Sequence, residues 1–527
     1  MIATYGSGFD VVLVSGEPWA DHPLSPVGVI ARVLEAEGLS VGIIERPEWT
    51  SADDFRRLGR PRLFAGLTSG SIDSMLVNTT PLKRRREKDP HAPHVSRLPD
   101  RAVIVYANRI REAFPGVPVV LGGIEASLRR FAHYDYWENR VRRSLLLDTR
   151  ADILVYGPGE TAVVEIARRF REGADLDGIP GTCVIRSSPP AEAAVLPSFE
   201  DVAEDPEAFR RAQNMLGNDR LLAQGHAGRF VVQYPAPVIT SDELDRIYGL
   251  PFSRRIPENF PQFDMARFSV VTHRGCTGRC SFCALAFHQG PRIISRSEAS
   301  ILEEIRRLVR MPDFKGYVDD LGGPTANMYG MDCRRPCRDG HCLDCPEADL
   351  SHARLIDLMR KAREIPGVKK VFVRSGVRFD LAVRSPEYVR ELARHHVSGL
   401  LKIAPEHVSP RVLELMNKSG GSPEVLEKFR RIFAASGGDL RQHLKYYFMA
   451  AHPGSSDREA NELARFIRRL ESAGERPVEG VQVFTPTPMT RSTCMYHTGM
   501  IPETGEPVHV PRTYEEKKRQ LRMLARC

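Results

Sequence analysis

The chain has 527 residues, of which 42% are hydrophobic and 27% charged; this excludes a fibrous or largely disordered protein and favours two or three globular domains. No stretch approaches the roughly 20 consecutive apolar residues of a membrane helix, and the N-terminus lacks a signal peptide, so we expect a cytoplasmic protein with no membrane partner. Lys and Arg exceed Asp and Glu by only 8 (75 against 67), which is weak support for a nucleic-acid partner.

The first part of the chain alternates predicted strands and helices. The segment VVLVSG after Asp10 is apolar and β-branched, as in a buried strand, and the next segment has an apolar helical face that ends at Gly38. Similar units follow in SVGIIER, VPVVLGGIEAS and ADILVYGPGE. Repeated units of this kind predict an α/β fold over residues 1–187, with a doubly wound, Rossmann-like parallel sheet between helices.

Two features of this domain are candidates for binding. The basic run KRRREK (83–88) is compatible with phosphate contact and equally with an ordinary solvated loop. Ligands of doubly wound sheets bind where strands end. Here these positions are the turns after Gly16, Gly70, Gly122 and Gly157, and none of the four matches a dinucleotide fingerprint.

A second domain is predicted downstream. Residues 188–265 are expected to form a linker and bridging segment, because adjacent prolines and several alanines interrupt the pattern. From 266 to 500, six strand candidates alternate with amphipathic helices, which predicts a partial TIM barrel with its chemistry at the carboxyl ends of the strands. A Cys-rich insertion is expected at 330–347, and the tail 501–527 is typical of a charged closing helix.

Three cysteines directly follow the first predicted barrel strand, in the segment VTHRGCTGRCSFCALAFHQG. Thiolates are soft ligands suited to iron–sulfur clusters, and the close spacing of Cys276, Cys280 and Cys283 lets them hold three corners of a 4Fe-4S cubane. Three ligands leave one iron open to substrate or cosubstrate atoms. A zinc knuckle or a purely structural cluster is the alternative interpretation.

This loop, with the aromatic Phe282 before its last cysteine, resembles the signature loop of radical SAM enzymes. The resemblance implies that S-adenosylmethionine chelates the open iron. One electron then cleaves it to methionine and a 5'-deoxyadenosyl radical, which abstracts hydrogen from a substrate. A reducing partner such as flavodoxin or ferredoxin is also implied. Phe282 would lie against the adenine, although aromatic residues in loops also serve in packing.

The resemblance extends over nearly the whole chain. The strings DHPLSPVGVIARVLEAEG, VVLGGIEASLRRFAHYDYW, DDLGGPTANMYG, LLKIAPEH and FMAAHPG resemble the YgiQ-type radical SAM family, whose N-terminal domain is cobalamin-binding-like. The usual Asp-x-His-x-x-Gly cobalt-ligand motif is absent and Asp21-His22 is spaced differently, so cobalamin is not favoured, although related enzymes bind it without that ligand. The aromatic segment 131–137 is expected to shape the substrate entrance or to pack in the core.

Residues at other predicted strand ends are candidate cofactor ligands by the same resemblance. Gly322 and Gly323 end the second strand, where radical SAM enzymes typically present a glycine pair to the methionine amino group, but Pro324 stands where an acidic residue often follows. Four residues at later strand ends are candidates for contact with ribose, carboxylate or substrate: Ser375, Lys402, Glu406 and His452. Polar residues at such positions also serve simply to close loops. No catalytic side chain is identified.

A second cysteine group, Cys333-x3-Cys337-x4-Cys342-x2-Cys345, predicts another metal site. Four thiolates suit either a closed zinc site or a second 4Fe-4S cluster, and spacing alone does not decide between them. The position after the second predicted strand, near the barrel mouth, favours an auxiliary cluster.

Three functions are compatible with the sequence. The leading hypothesis is a radical SAM enzyme that acts on an unknown small-molecule or macromolecular substrate. The second is a methylthiotransferase-like enzyme that modifies RNA, because GVQVFTPTPM resembles the last strand of that group. The third is a non-catalytic metal-cluster scaffold or regulator.

Overall fold

The computed structural model describes residues 1–87, 98–256, 261–333, 342–343, 345–437, 442–473 and 481–525. The chain divides into two compact units. The sheet unit comprises Met1–Val238, Leu250–Asp264 and Thr487–Gly505, and the barrel unit comprises Ile239–Gly249, Met265–Pro486 and Glu506–Cys527. Within the described ranges, no helix combines the length and apolar character needed to span a bilayer.

The strands of the sheet unit are β1 (Ile2–Ala3), β2 (Val11–Ser15), β3 (Val41–Glu45), β4 (Phe64–Thr68), β5 (Val119–Leu121), β6 (His133–Asp135), β7 (Arg140–Arg142), β8 (Ile153–Val155), β9 (Thr182–Arg186), β10 (Ala194–Leu196), β11 (Leu222–His226) and β12 (Arg229–Gln233). Ten of them form one sheet in the order β1-β3-β2-β4-β5-β8-β9-β12-β11-β10, and β6 pairs with β7. Strands β3, β2, β4, β5 and β8 are mutually parallel. This is the flavodoxin-like order, whose ligand-binding switch point lies between β2 and β4.

Both faces of the sheet are buried, as the sequence predicts. Along β2, Val11 and Leu13 belong to one apolar core, whereas Val12 and Val14 belong to another. Successive side chains of a strand point to opposite faces, so a continuous apolar run marks a strand covered on both sides. The covering helices are α1 (Pro26–Ala36), α2 (Asp53–Arg56), α3 (Ser74–Asn78), α4 (Ala102–Ala113), α5 (Gly123–Leu128), α6 (Leu145–Thr149), α7 (Glu160–Glu172), α8 (Phe199–Glu204), α9 (Pro206–Met215) and, later in the chain, α19 (Arg491–Thr498).

Two boundaries differ from the sequence prediction. The interval 188–265, expected as a linker, contains β10, β11 and β12, which extend the sheet beyond β9. The turn between β11 and β12 has positive φ at Ala227 and Gly228, which is the geometry of a tight hairpin and explains how such short strands pair. The segment Thr487–Gly505, expected in the barrel domain, belongs to the sheet unit, where the Gln213 side chain donates a hydrogen bond to the Met489 carbonyl oxygen (2.9 Å).

The strands of the barrel unit are β13 (Val270–Val271), β14 (His273–Arg274), β15 (Ile294–Ser295), β16 (Tyr317–Val318), β17 (Leu321–Gly322), β18 (Lys370–Val371), β19 (Leu400–Glu406), β20 (His443–Ala450) and β21 (Val481–Val483). Parallel pairs join β13 to β17, β16 to β18, β19 to β20, and β20 to β21. A parallel bridge between Val377 and Ile403 links the third strand position to β19. Six strand positions thus follow one another in chain order, which confirms the predicted partial barrel.

Helices pack against one side of this arc of strands. Leu401 and Ile403 of β19 and Val318 of β16 share a buried core with Ile305 and Leu358 from the helices. The helices are α10 (Ser241–Tyr248), α11 (Leu285–His288), α12 (Glu298–Val309), α13 (Ala353–Glu364), α14 (Phe379–Ala382), α15 (Pro386–Glu391), α16 (Pro410–Leu415), α17 (Pro423–Gly437), α18 (Asp457–Ser472) and α20 (Tyr514–Ala525). Short 3-10 turns occur at Pro261–Ala266, Ala326–Met328 and Ser419–Gly421, and a π turn at Leu392–His396.

Candidate active site

The three cysteines of the first motif lie on a loop that begins just after β13 and β14. Cys276 N donates a hydrogen bond to the Gly290 carbonyl oxygen (3.1 Å). Gly275 has φ +85°, and a side chain there would collide with the Arg292 carbonyl oxygen. The loop therefore folds back tightly at the carboxyl end of the first barrel strand, which is where barrel enzymes carry out their chemistry.

The middle of the loop is held by the segment that follows α16. Ser281 N donates a hydrogen bond to the Met416 carbonyl oxygen (2.9 Å), and Asn417 Nδ2 donates one to the Arg279 carbonyl oxygen (3.0 Å). These bonds come from a distant part of the barrel unit, so the path of the loop is fixed by protein contacts.

Polar side chains from two other segments reach the thiols. Thr325 Oγ1 lies 3.5 Å from Cys276 Sγ, just beyond the end of the second strand position. Arg378 Nη1 donates to Cys280 Sγ at 3.7 Å, from the segment after β18. The cysteine loop is therefore in contact with residues that follow the second and third barrel strands.

Without a metal, two thiols of this loop, those of Cys280 and Cys283, resist ionisation because their pKa values are raised. Burial raises the pKa of Cys280, an effect that the cations Lys418 and Arg378 oppose. Burial also raises the pKa of Cys283 to about 12. Because the thiolate is the form that binds metals, coordination has to supply the free energy for proton release.

The chemistry of the donor set, three thiols on one loop, fits an iron–sulfur cluster. The thiolates of a cubane each bind a different iron, whereas a structural zinc ion draws its ligands into one tetrahedron. Three soft donors spread along one short loop therefore suit an iron–sulfur cluster.

The glycine pair at the end of the second strand lies beside two polar side chains. A Cβ on Gly322 would lie 3.0 Å from Ser375 Oγ, and one on Gly323 would lie 2.6 Å from the His273 ring. Ser375 Oγ donates to the Asp320 carboxylate. Burial lowers the pKa of His273 to about 4, so its ring is neutral at pH 7, and its Nε2 has no hydrogen-bond partner among the described residues. The absence of side chains at both glycines allows the Ser375 hydroxyl and the His273 ring to pack closely against the backbone at the strand end.

Glu406, at the end of β19, has three unusual features. Its φ of 67° is rare for a side chain of this size. It is 5% exposed, and its Oε2 has no hydrogen-bond partner within the described ranges. Burial raises its pKa to about 7, although Lys418, whose Nζ lies 3.8 Å from Oε1, opposes the shift. Strain and an unpaired buried oxygen at a strand end are typical of a ligand-binding position.

Phe282 is half-buried and lies beside another aromatic group. Its ring centroid lies 6.2 Å from that of His452, at an interplanar angle of 83°, and the His452 ring lies 5.1 Å from Phe484. His452 is buried, and burial lowers its pKa to about 3. The structure thus brings two predicted residues together as an edge-to-face pair beside the cysteine loop.

Lys402 is not brought to this group. β19 continues to Glu406, so Lys402 lies inside the strand instead of at its end, and it is exposed. Its neighbours Leu401 and Ile403 face the helices, which places Lys402 on the opposite face of the strand. Lys402 therefore lies before the strand end on the face of β19 that points away from the helices, and its role as a cofactor ligand stays a prediction.

The second cysteine group is described only in part. Cys333 is exposed, and Cys342 and Cys345 are half-buried; Cys337 lies outside the described residues. The predicted second metal site therefore stays a prediction.

In the sheet unit, the Asp21-His22 pair is engaged within the unit itself. Arg32 Nε donates to Asp21 Oδ1 (2.8 Å). His22 Nδ1 accepts a hydrogen bond from Leu24 N (3.0 Å), and its Nε2 lies 3.2 Å from Arg254 Nη1. Both ring nitrogens of His22 are in contact with other groups, so this pair presents no ligand for cobalt.

The other sheet-unit candidates make contacts within the unit. In the aromatic segment 131–137, the rings of Phe131, His133, Tyr134 and Tyr136 are buried, which favours the core interpretation. In the basic run, Arg85 pairs with Asp100 (2.5 Å) and Lys83 Nζ lies 4.6 Å above the Tyr136 ring. Lys88 lies outside the described residues.

Three charged residues near the thiols were not predicted from the sequence. Arg378 and Asp380 form a buried ion pair (2.5 Å) in the segment after β18, and Lys418, also buried, follows α16. The only signal in the sequence is that RSGVRFD places charged residues directly after an apolar strand. Their closeness to the cysteine loop depends on chain segments that are far apart in sequence.

The fold and this loop define a radical SAM protein. The family described as "Radical SAM superfamily" matches residues 270–467, and the one described as "Radical SAM N-terminal" matches residues 3–271. The chain is 47% identical over 545 residues to a UPF0313 protein of Geobacter sulfurreducens, covering 98% of this chain and 89% of the relative. It is 44% identical over 565 residues to one of Methanosarcina acetivorans, covering 97% and 75%. The chain belongs to the UPF0313 family, which agrees with the resemblance to YgiQ-type radical SAM proteins.

Two solved structures have a similar fold. TsrM from Kitasatospora setae, a radical S-adenosylmethionine methyltransferase with cobalamin and a [4Fe-4S] cluster bound, matches with a TM-score of 0.54 at 19% identity, over 92% of this chain and 75% of that one. OxsB, a cobalamin-dependent S-adenosylmethionine radical enzyme, matches with a TM-score of 0.53 at 14% identity, over 94% and 57%. At these identities the likeness establishes the fold alone. Together with the family matches, it supports a radical SAM enzyme.

Proposed function

We propose that this chain is a radical SAM enzyme that holds a 4Fe-4S cluster on Cys276, Cys280 and Cys283 and cleaves S-adenosylmethionine reductively. The observation that carries the proposal is the position of these thiols, on one tight loop at the carboxyl end of the first parallel barrel strand. When bound, the cluster and S-adenosylmethionine supply a 5'-deoxyadenosyl radical that abstracts hydrogen from the substrate.

The residues of the chain supply the binding surface for S-adenosylmethionine. Gly322 and Gly323 bring the Ser375 hydroxyl and the His273 ring close to the backbone at the strand end. His273 Nε2, which has no hydrogen-bond partner in the described ranges, suits the polar methionine end. Glu406 offers a buried carboxylate oxygen without a partner in the described ranges, which suits a hydroxyl or amino donor of the cosubstrate. Phe282 offers an aromatic ring for the adenine.

The second cysteine group belongs to the proposal as another metal site. The four cysteines Cys333, Cys337, Cys342 and Cys345 suit zinc or a second 4Fe-4S cluster, and the number of irons per chain separates the two. A low-potential protein such as flavodoxin or ferredoxin is proposed as the electron donor.

Cobalamin is left out of the proposal. TsrM and OxsB bind it in their structures, but here the Asp21-His22 pair offers no cobalt ligand, because both ring nitrogens of His22 are engaged. The substrate is proposed only by class, as a small molecule or a macromolecule that yields a hydrogen atom. Modification of RNA would be a reaction on a macromolecular substrate, and RNA binding that weakens steeply with salt would support it.

Anaerobic reconstitution tests the proposal. Purified chain is incubated with iron and sulfide, then reduced with dithionite in the presence of S-adenosylmethionine, and 5'-deoxyadenosine is measured by chromatography. We expect about four irons per chain if the second cysteine group binds zinc and about eight if it binds a second cluster, with formation of 5'-deoxyadenosine in both cases.

Two results would contradict the proposal. If the reconstituted chain binds no iron and sulfide, the chain does not hold the proposed cluster. A stable cluster without any 5'-deoxyadenosine would favour the scaffold or regulator, in which both cysteine groups are structural.

A further inference from the structure

Arg378 reaches the cysteine loop from the segment after β18. Its Nη1 donates to Cys280 Sγ at 3.7 Å, and its side chain is 9% exposed. Gly278, between the first two cysteines, makes this approach feasible, because a Cβ at that position would collide with Arg378 Nη1. The loop and the guanidinium group are therefore fitted to one another.

The guanidinium group is fixed in place from both ends. Arg378 Nε and Nη2 donate to the two carboxylate oxygens of Asp380, at 3.0 and 2.5 Å. The Arg378 backbone is held by Asn327, whose Oδ1 accepts from Arg378 N (2.8 Å) and whose Nδ2 donates to Arg378 O (3.0 Å). A bidentate pair with an anchored backbone leaves the side chain little freedom, so Nη1 stays directed at the thiol.

The positive and negative side chains around this contact nearly cancel before any cluster is bound. Lys418 is a second buried cation, whose Nζ donates to the Ala404 carbonyl oxygen (2.6 Å) and lies 3.8 Å from Glu406. Two cations thus face two carboxylates, those of Asp380 and Glu406. Three thiolates and a bound cluster would add negative charge to this buried site. Hydrogen bonds from N–H groups to the ligand sulfur atoms stabilise such charge.

We propose that Arg378 is a positioning residue that holds the Cys280 thiolate and raises the reduction potential of the cluster, an inference that rests on the proposed function. Reduction adds one electron from an external donor and makes the cluster more negative by one charge. A fixed guanidinium N–H at a ligand sulfur favours the more negative state. Loss of this contact therefore makes the cluster harder to reduce.

The test compares midpoint potentials in anaerobic titrations followed by electron paramagnetic resonance, with iron content and circular dichroism as checks. Arg378→Gln removes the charge and the N–H donor, and we expect the potential to fall by about 59 mV or more, a tenfold change in the one-electron equilibrium. Arg378→Lys should lie between this variant and the wild type. Gly278→Ala pushes the guanidinium group away without altering its charge, and we expect a smaller shift in the same direction.

Arg390→Gln is the matched control, because Arg390 is exposed on α15 of the same unit and its removal changes net charge equally. Wild-type potentials and spectra in both Arg378→Gln and Gly278→Ala, or an equal shift in Arg390→Gln, would overturn the inference. Loss of iron from Arg378→Gln with an unchanged circular dichroism spectrum would support the holding role, and Gly278→Ala would then decide the effect on potential. If the wild-type chain binds no cluster, the proposed function itself is refuted. If the wild-type chain binds a cluster whose midpoint potential does not depend on Arg378, only the role of Arg378 is refuted.

Discussion

Both units present loops at the carboxyl ends of parallel strands, but the two sets of loops use their polar groups differently. In the sheet unit the acidic groups near the switch point are paired within the unit: Asp21 with Arg32, and Asp73 with Arg129. In the barrel unit Glu406 and His273 each retain a buried atom without a hydrogen-bond partner in the described ranges. Orphan atoms alone do not separate the units, because Arg129 Nε and Nη2 also have no partner among the described residues and the barrel site has its own buried ion pair, Arg378 with Asp380. The difference is that the orphan atoms of the barrel unit belong to candidate ligands.

The difference has a thermodynamic meaning. A buried polar atom without a partner costs about 1–3 kcal/mol of folding free energy, and such costs concentrate where a ligand later supplies the partner. Buried ion pairs, in contrast, stabilise the fold only as long as both partners are present. Substitutions in the barrel loops should therefore affect chemistry more than stability, and substitutions at the switch point should do the reverse.

The largest effect on chemistry is expected from Cys283→Ala. Without its third thiolate the cluster loses a ligand, and reductive formation of 5'-deoxyadenosine should fall to background in the anaerobic assay. The free energy of unfolding should change by about 1 kcal/mol or less, because the substitution removes a single sulfur atom and leaves no charge unpaired. Cys494→Ala, which removes a buried cysteine outside both groups, is the control and should keep its activity. Activity in Cys283→Ala would mean that another side chain serves as the third ligand.

The largest effect on stability is expected from Asp73→Asn. Asp73 and Arg129 are both 2% exposed, and removal of one partner leaves a buried charge, at a cost on the order of 3 kcal/mol. Urea denaturation followed by circular dichroism measures this loss. Asp53→Asn is the control, because Asp53 pairs with Arg56 while 83% exposed and should cost less than about 1 kcal/mol. Equal effects of the two variants would show that the switch-point pair is not structural.

A pH-dependent effect is expected from Glu406. Burial raises its pKa from an ordinary value of 4.5 to about 7, so the folded state binds its proton more tightly than the unfolded state does. The resulting stability is fully present below pH 4.5 and is lost as pH rises through 7. The shift corresponds to a few kcal/mol, at about 1.4 kcal/mol per pKa unit.

Glu406→Gln sharpens this prediction, because glutamine has a similar shape and does not titrate. Urea denaturation of the cluster-free chain between pH 5 and pH 8 should show a smaller decline in stability for the variant than for the wild type. If Glu406 also binds S-adenosylmethionine, the reconstituted variant should need more of it for half-maximal cleavage. Parallel pH profiles for the two proteins would show that Glu406 is not buried as described.

Much of the fold and the centre of the site could be predicted from sequence, because their signals are local. The apolar run of β2 and the repeated strand–helix pattern specify the layers, and the spacing of Cys276, Cys280 and Cys283 specifies the donor set. The hairpin of β11 and β12 was missed because its strands follow a proline-rich segment and carry polar residues and a glycine instead of a continuous apolar run. Arg378 and Lys418 were missed because their contacts with the cysteine loop join segments about 100 or more residues apart, which no local pattern records.

Lys402 shows the limit of locating a site by predicted strand ends. Its assignment as a cofactor ligand assumed that the strand ends near it, but β19 extends four residues further to Glu406, and a bulge lies between Ile403 and Glu406. Side chains alternate along a strand, so an error in the strand end also changes which residues meet at the mouth. Glu406 lies at the true end of the strand, whereas Lys402 lies four residues before it, and both assignments as ligands stay predictions.

The smallest effect is therefore expected from Lys402→Gln. Lys402 is exposed, and its register partner on β20 is Lys445, so loss of its charge leaves no buried group unpaired. The rate of 5'-deoxyadenosine formation without substrate should stay within about twofold of the wild type, as is usual for exposed substitutions. Lys445→Gln, its neighbour on the same face, is the matched comparison. A tenfold loss in Lys402→Gln alone, about 1.4 kcal/mol in the barrier, would mean that the face of β19 opposite the helices reaches S-adenosylmethionine, and the candidate site would then have to extend below the strand ends.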